Sequence, residues 1–184
     1  MEDVEPWPDA YPLSADAGRF RVLHDAGETL LDELERRYSV ERRETKEPLG
    51  RKLSAPIVRI VRLVPRSPAA GPLAVVFTES PGIVLRLGRW YEDRLPSCEC
   101  DDCDEDPAEL IDDLRGYSQA HVEGGLWERV RRGMTGSCRE TRLVGPGFRR
   151  SASVPLEPGA ARAARRQGFA APVQWAPWAR RGRF

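Results

Sequence analysis

A chain of 184 residues with 40% apolar and 32% charged side chains can bury one sizeable core and is too apolar for wholesale disorder. Lys plus Arg and Asp plus Glu stand at 29 each, and the formal charge of +0 gives no global field to recruit nucleic acid or anionic lipid. No window reaches the ~18 apolar residues of a membrane span, and the acidic start Met1-Glu2-Asp3-Val4-Glu5-Pro6-Trp7 lacks the apolar run of a secretion signal.

Residues 1–15, with Pro6, Pro8 and Pro12, read as an irregular arm. A first helix is predicted over 17–38: Phe20, Leu23, Gly27, Leu30, Leu31, Leu34 and Tyr38 recur at helical spacing, with Asp16 as the cap. Extended segments follow at 40–45, 57–64, 73–78 and 83–90, the last two joined as a hairpin at Ser80-Pro81-Gly82. In 83–90, Val84, Arg86 and Gly88 alternate with Ile83, Leu85 and Leu87, which predicts one wet face.

A second helix starts at Asp106-Pro107-Ala108-Glu109, a cap followed by proline and a first-turn carboxylate. Its apolar stripe is Leu110, Ile111, Leu114, Tyr117, His121 and Val122, and Gly124-Gly125 ends it. Strands at 126–131, 138–144 and 148–154 come next, the last pair turning at Gly145-Pro146-Gly147, then a short helix at 158–167. Residues 168–184 form an extended tail rich in Pro, Trp and Arg. The order α-β4-α-β3-α predicts an α+β class: one domain over 1–184, with an antiparallel sheet packed by two amphipathic helices.

The densest chemistry is the run Ser97-Cys98-Glu99-Cys100-Asp101-Asp102-Cys103-Asp104-Glu105-Asp106. Thiolates at C-x-C-x2-C spacing suit a soft tetrahedral ion, and reduced cysteines clustered in a cytoplasmic protein point to a metal before a disulfide. A strand returning alongside the second helix carries Cys138 back toward the loop. Cys98, Cys100, Cys103 and Cys138 are therefore the expected ligands of a closed, structural zinc site. The plain alternative is a solvated acidic loop of reduced thiols. A redox pair Cys100/Cys103 is opposed by the surrounding carboxylates, which disfavour a thiolate. The acids lack the spacing and central glycine of a calcium-binding EF-hand loop.

Elsewhere the sequence offers little catalysis. His24 and His121 lack a G-x-S-x-G or H-E-x-x-H companion, and no phosphate-cradling glycine motif is present. Within the last third, residues 149–184 are basic, with Arg149, Arg150, Arg162, Arg165, Arg166, Arg180, Arg181 and Arg183 set against Glu157. Arginines interleaved with Trp175, Trp178 and Phe184 have the composition of a single-strand platform. An intramolecular clasp explains them better given the zero net charge, and nucleic acid is an unlikely partner.

Gly88-Arg89-Trp90, then Pro96-Ser97-Cys98-x-Cys100-Asp101-x-Cys103-Asp104-Glu105, then Trp175-x-Pro177-Trp178 together resemble an actinobacterial family of uncharacterised proteins. The resemblance covers most of the chain and implies a small bacterial cytoplasmic protein without an assigned activity. Cys98, Cys100 and Cys103 match its shared motif. The expected function is a non-enzymatic binding or scaffold protein. The alternatives are an enzyme with a cleft on the sheet face and a single-stranded nucleic-acid binder.

Overall fold

The computed structural model describes residues 17–45, 56–80, 82–98, 105–134 and 136–182. The arm at 1–15, the cap Asp16, and Cys100 and Cys103 lie outside them. A 3-10 turn at Ala17–Arg21 leads into α1 (Val22–Arg37). Five strands then form an antiparallel meander: β1 (Val40–Thr45), β2 (Ile57–Pro65), β3 (Leu73–Thr78), β4 (Ile83–Leu87) and β5 (Tyr91–Leu95). After α2 (Pro107–Val122) come β6 (Leu126–Arg132), β7 (Ser137–Gly145), β8 (Phe148–Leu156), α3 (Pro158–Ala164), a wide helical turn at Arg165–Phe169 and the short β9 (Val173–Gln174). These last strands make a second antiparallel sheet in the order β8-β7-β6-β9.

The α+β class holds, but the expected single sheet is two. Strand 83–90 ends at Leu87, where Gly88 turns the chain and β5 begins. β5 and β9 carry no strand signature of their own: Tyr91-Glu92-Asp93-Arg94-Leu95 is mostly charged and β9 spans two residues. Both exist because a neighbour pairs with them, β5 against β4 and β9 against β6. The expected wet face of β4 is also not simply wet, since Val84 is 4% exposed and packs with Ile60, Ala74 and Val76. The helix expected at 158–167 is α3 continued by the wide turn, with Gly168 (φ +94°) breaking it.

α1 follows its sequence stripe, burying Leu23, Gly27, Leu30, Leu31 and Leu34. Gly27 permits the close approach to the first sheet: a Cβ there would lie 3.2 Å from Phe77 Cε1 and 3.3 Å from Val75 Cγ1. α2 starts as its motif requires, with the Asp106 carboxylate accepting from Ala108 N at 2.9 Å and Pro107 in the first turn. It packs on α1, β4 and β7, and so lies between the two sheets. Leu110, Leu114, Tyr117, Leu126 and Leu143 join the α1 side chains in one continuous core. Each large aliphatic buried there contributes about 1.5–3 kcal/mol before entropy is charged against it.

Candidate functional site

Where the two sheets meet, a buried carboxylate holds the joint. Glu128 stands on β6 between Leu126 and Val130, in the inward phase of the strand, and is fully buried. The β4–β5 turn aims three successive backbone N–H groups at it. Arg89 N donates to Oε2 at 2.8 Å, while Trp90 N and Tyr91 N donate to Oε1 at 2.7 and 3.2 Å. Trp175 Nε1 completes the set, donating to Oε2 at 2.8 Å. Gly88 makes the approach possible: its φ is +59°, and a Cβ would lie 2.6 Å from Trp175 Nε1 and 2.8 Å from Glu128 Oε2. Burial raises the Glu128 pKa, and the four donors pull the other way.

The Gly88-Arg89-Trp90 and Trp175-x-Pro177-Trp178 segments are therefore partners in space, and Glu128 joins them. An acid in the apolar phase Leu126-x-Glu128-x-Val130 is the signal that marks it in the sequence. Three residues on, Trp178 is 4% exposed, packs edge-on against Tyr38 and His121, and donates Nε1 to Gly71 O at 2.9 Å. Trp178 is thus a core residue, and Trp175 is half-buried with its ring 6.1 Å from that of Phe169. His121 is fully buried, with Nε2 3.0 Å from Gly71 O and 3.1 Å from Pro72 O. Burial lowers its pKa to about 4, so it is neutral at physiological pH. His24 is half-buried, with Nε2 3.0 Å from Gly82 O and its ring edge-on to Phe77. Both histidines are structural.

Beside the joint lies a cleft of about 520 Å³ between β5 and the β7–β8 hairpin. Trp90, Tyr91, Glu92 and Asp93 form one wall; Arg139, Thr141, Arg149, Arg150, Ser151, Ala152 and Val154 form the other. Its carboxylates are already engaged. Arg86 Nε donates to Glu92 Oε2 at 2.9 Å. Asp93 Oδ2 accepts from Tyr91 Oη at 3.2 Å and lies 3.9 Å from Arg150 Nη1. Arg150 also reaches Asp113 of α2 at 3.6 Å and lies over the Tyr117 ring at 4.6 Å, which orients it across the cleft mouth. Burial raises the Asp93 pKa despite Arg150, and burial with the neighbouring Asp93 raises that of Tyr91. The site thus has a cationic side, an apolar patch of Trp90, Ala152 and Val154, and a proton-sensitive carboxyl. In the sequence Arg149 and Arg150 stand out only as charge; pairing of β8 with β7 turns Arg150 toward Asp93 of β5 and leaves Arg149 at the cleft rim.

The expected metal ligands are placed in part. Cys98 follows β5, where Glu105 accepts from Ser97 N at 3.0 Å and Cys98 N at 3.3 Å and so fastens the base of the acidic loop. Cys138 lies on β7 opposite Arg131 and Pro155, in the outward phase, with Sγ 3.9 Å from Arg131 O. Among the described residues no group of three or more His, Cys, Asp or Glu converges as a metal cage.

A family model described as a family of unknown function (DUF6226) matches residues 1–182. The chain belongs to that family. No curated protein and no solved structure matches it. The family carries no assigned activity, and the geometry of the joint and cleft is the available guide. Among the described residues no helix is long and apolar enough to cross a membrane.

Proposed function

We propose that this chain is a non-enzymatic binding protein of the bacterial cytoplasm. Its cleft between β5 and the β7–β8 hairpin takes a small anion bearing an apolar group. One observation carries the reading: the exposed Arg149 lines a cleft whose acids are already engaged, Glu92 by Arg86 and Asp93 by Tyr91 and Arg150. That leaves positive charge to meet a carboxylate or phosphate ester, while Trp90, Ala152 and Val154 suit a flat or aliphatic body. Calorimetric and thermal-shift titrations with phenyl phosphate, benzoate and neutral benzamide test it. The two anions are expected to raise the melting temperature, benzamide to leave it unchanged, and Arg149→Ala to weaken both anions at least tenfold. Equal response to benzamide, or an unaffected Arg149→Ala, overturns the reading.

A second reading, an enzyme, is favoured by Asp93, whose raised pKa beside the Tyr91 hydroxyl suits a proton acceptor. Turnover of a bound ester that Asp93→Asn abolishes, with binding retained, would establish it. The acidic loop supports a separate proposal, a structural zinc held by Cys98, Cys100 and Cys103 of the actinobacterial motif together with Cys138. Support comes from the thiol spacing and from the clamp at Glu105. About one zinc per chain, lost in Cys98→Ser and Cys103→Ser, is expected; zinc surviving in Cys138→Ser would assign the fourth ligand to a carboxylate of the loop.

A further inference from the structure

The face of the second sheet turned away from the cleft has a composition of its own. Register places Trp127, Arg129 and Arg131 of β6 beside Glu140 and Arg142 of β7 and Arg149, Ser151 and Ser153 of β8. Inward residues of the same strands, such as Leu126, Val130 and Leu143, are buried, and α2 and α3 pack on that inward side. The outward side is a shallow basin of about 530 Å³ centred on Trp127, Arg142 and Ser151.

Four arginines face a single carboxylate there. Arg129 and Arg131 both donate Nε to Glu140, each at 2.5 Å, leaving the face with a surplus of three positive charges. The half-exposed Trp127 indole has the Arg142 guanidinium 4.8 Å from its centroid and that of Arg129 at 5.6 Å. This is a planar stack of π and cation surfaces on a rigid sheet. Nucleobases stack on both kinds of surface. The hydroxyls of Ser151 and Ser153 on the edge strand β8 are small donors of the sort that contact phosphate oxygens.

We infer that this face binds single-stranded nucleic acid, with a base stacked on the Trp127–Arg142 pair and the backbone running along the arginines toward β8. The charge surplus argues against an apolar protein partner. A duplex keeps its bases stacked internally and cannot offer one to Trp127. The chain's net charge of +0 is no objection, since the surplus is local to one face. The small-anion cleft opens on the other side of β7 and β8, and the two meet along β8, where Arg149 and Ser151 border both.

Fluorescence anisotropy of end-labelled dT12 and rU12 on the full chain tests the proposal. Binding is expected in 50 mM salt and should weaken about 20-fold at 200 mM if about three phosphates are neutralised. Trp127→Ala should cost at least tenfold, and Trp127→Phe should keep most of the affinity. Circular dichroism and the melting temperature of Trp127→Ala should match the parent, because the ring is half-exposed. Arg150→Ala, in the cleft, should bind the oligonucleotides normally. No anisotropy change at 50 mM salt overturns the inference. So does equal binding by Trp127→Ala, or a loss in Arg150→Ala matching that in Trp127→Ala, which would move the strand into the cleft.

Discussion

The two sheets follow different rules, and the contrast explains where function can sit. In the first, β3 is buried along its whole length, Leu73-Ala74-Val75-Val76-Phe77-Thr78, with α1 on one face and the Ile60, Val76 and Val84 cluster on the other. Strands buried on both faces read as unbroken apolar runs. In the second, β6 alternates Leu126, Glu128 and Val130 inward with Trp127, Arg129 and Arg131 outward, because one face alone meets the core. The first sheet spends its side chains on packing. The second leaves half of its own facing solvent, and lends its inward face, through Thr141, Arg139 and Arg150, to the cleft.

The sharpest way to break this contrast is at the one acid that obeys the first sheet's rule. Glu128→Gln leaves an amide NH2 facing backbone donors that now meet a carboxylate oxygen. A loss of about 4 kcal/mol is expected in urea unfolding; a loss below ~1 kcal/mol would show that the joint is not held by that carboxylate. Next, Leu85→Ala in β4 should cost about 3 kcal/mol through the cavity it opens. Ser153→Ala on the outward face of β8 should stay within ~0.5 kcal/mol. Comparable losses from the two would erase the distinction between the sheets.

A smaller effect depends on pH. The folded pKa of His121 is about 4, below the ~6.5 of an unfolded histidine, so the unfolded chain takes up the proton first on acidification. The stability His121 provides is present above ~6.5 and is lost as pH falls toward 4. About 2 kcal/mol should go between pH 7 and 5, and His121→Gln should flatten that slope. The raised pKa of Glu128 has the opposite sign and favours the folded state on acidification, so the variant comparison, not the parent curve alone, isolates the histidine. The smallest expected effect is Arg149→Ala. This exposed side chain should change stability by less than ~0.5 kcal/mol while weakening the cleft's anions.

The same contrast governs what could be read before folding. β3 starts and stops where its apolar, β-branched run does, and α2 begins at its Asp106-Pro107 signal, because those instructions are local. β5 was hidden because Glu92, Asp93 and Arg94 make a poor strand until β4 supplies the ladder and Arg86 a partner for Glu92. The split into two sheets was hidden because nothing local says that α2 will lie between them. Of the candidate site, Trp175 and Trp178 were legible as a clasp, but their anchor Glu128 comes 47 residues before Trp175. The cleft arginines were visible as charge and not as a site, since pairing across β7 and β8 is what gathers them.

Residues 175–181 bond to the end of α1, the loop before β3, the end of α2 and the start of β6. Their backbone donors reach Leu126 O, Ala69 O, Val122 O and Arg37 O, and Ala179 O accepts from Ser39 N. Synthesis proceeds from the N-terminus, so this strap leaves the ribosome after every element it ties. Until then Tyr38, His121 and Glu128 lack their tryptophan partners, and the joint between the sheets rests on the Arg89, Trp90 and Tyr91 donors to Glu128 alone. A chain cut short before Trp175 would leave Glu128 one donor short and Gly71 O without the Trp178 indole.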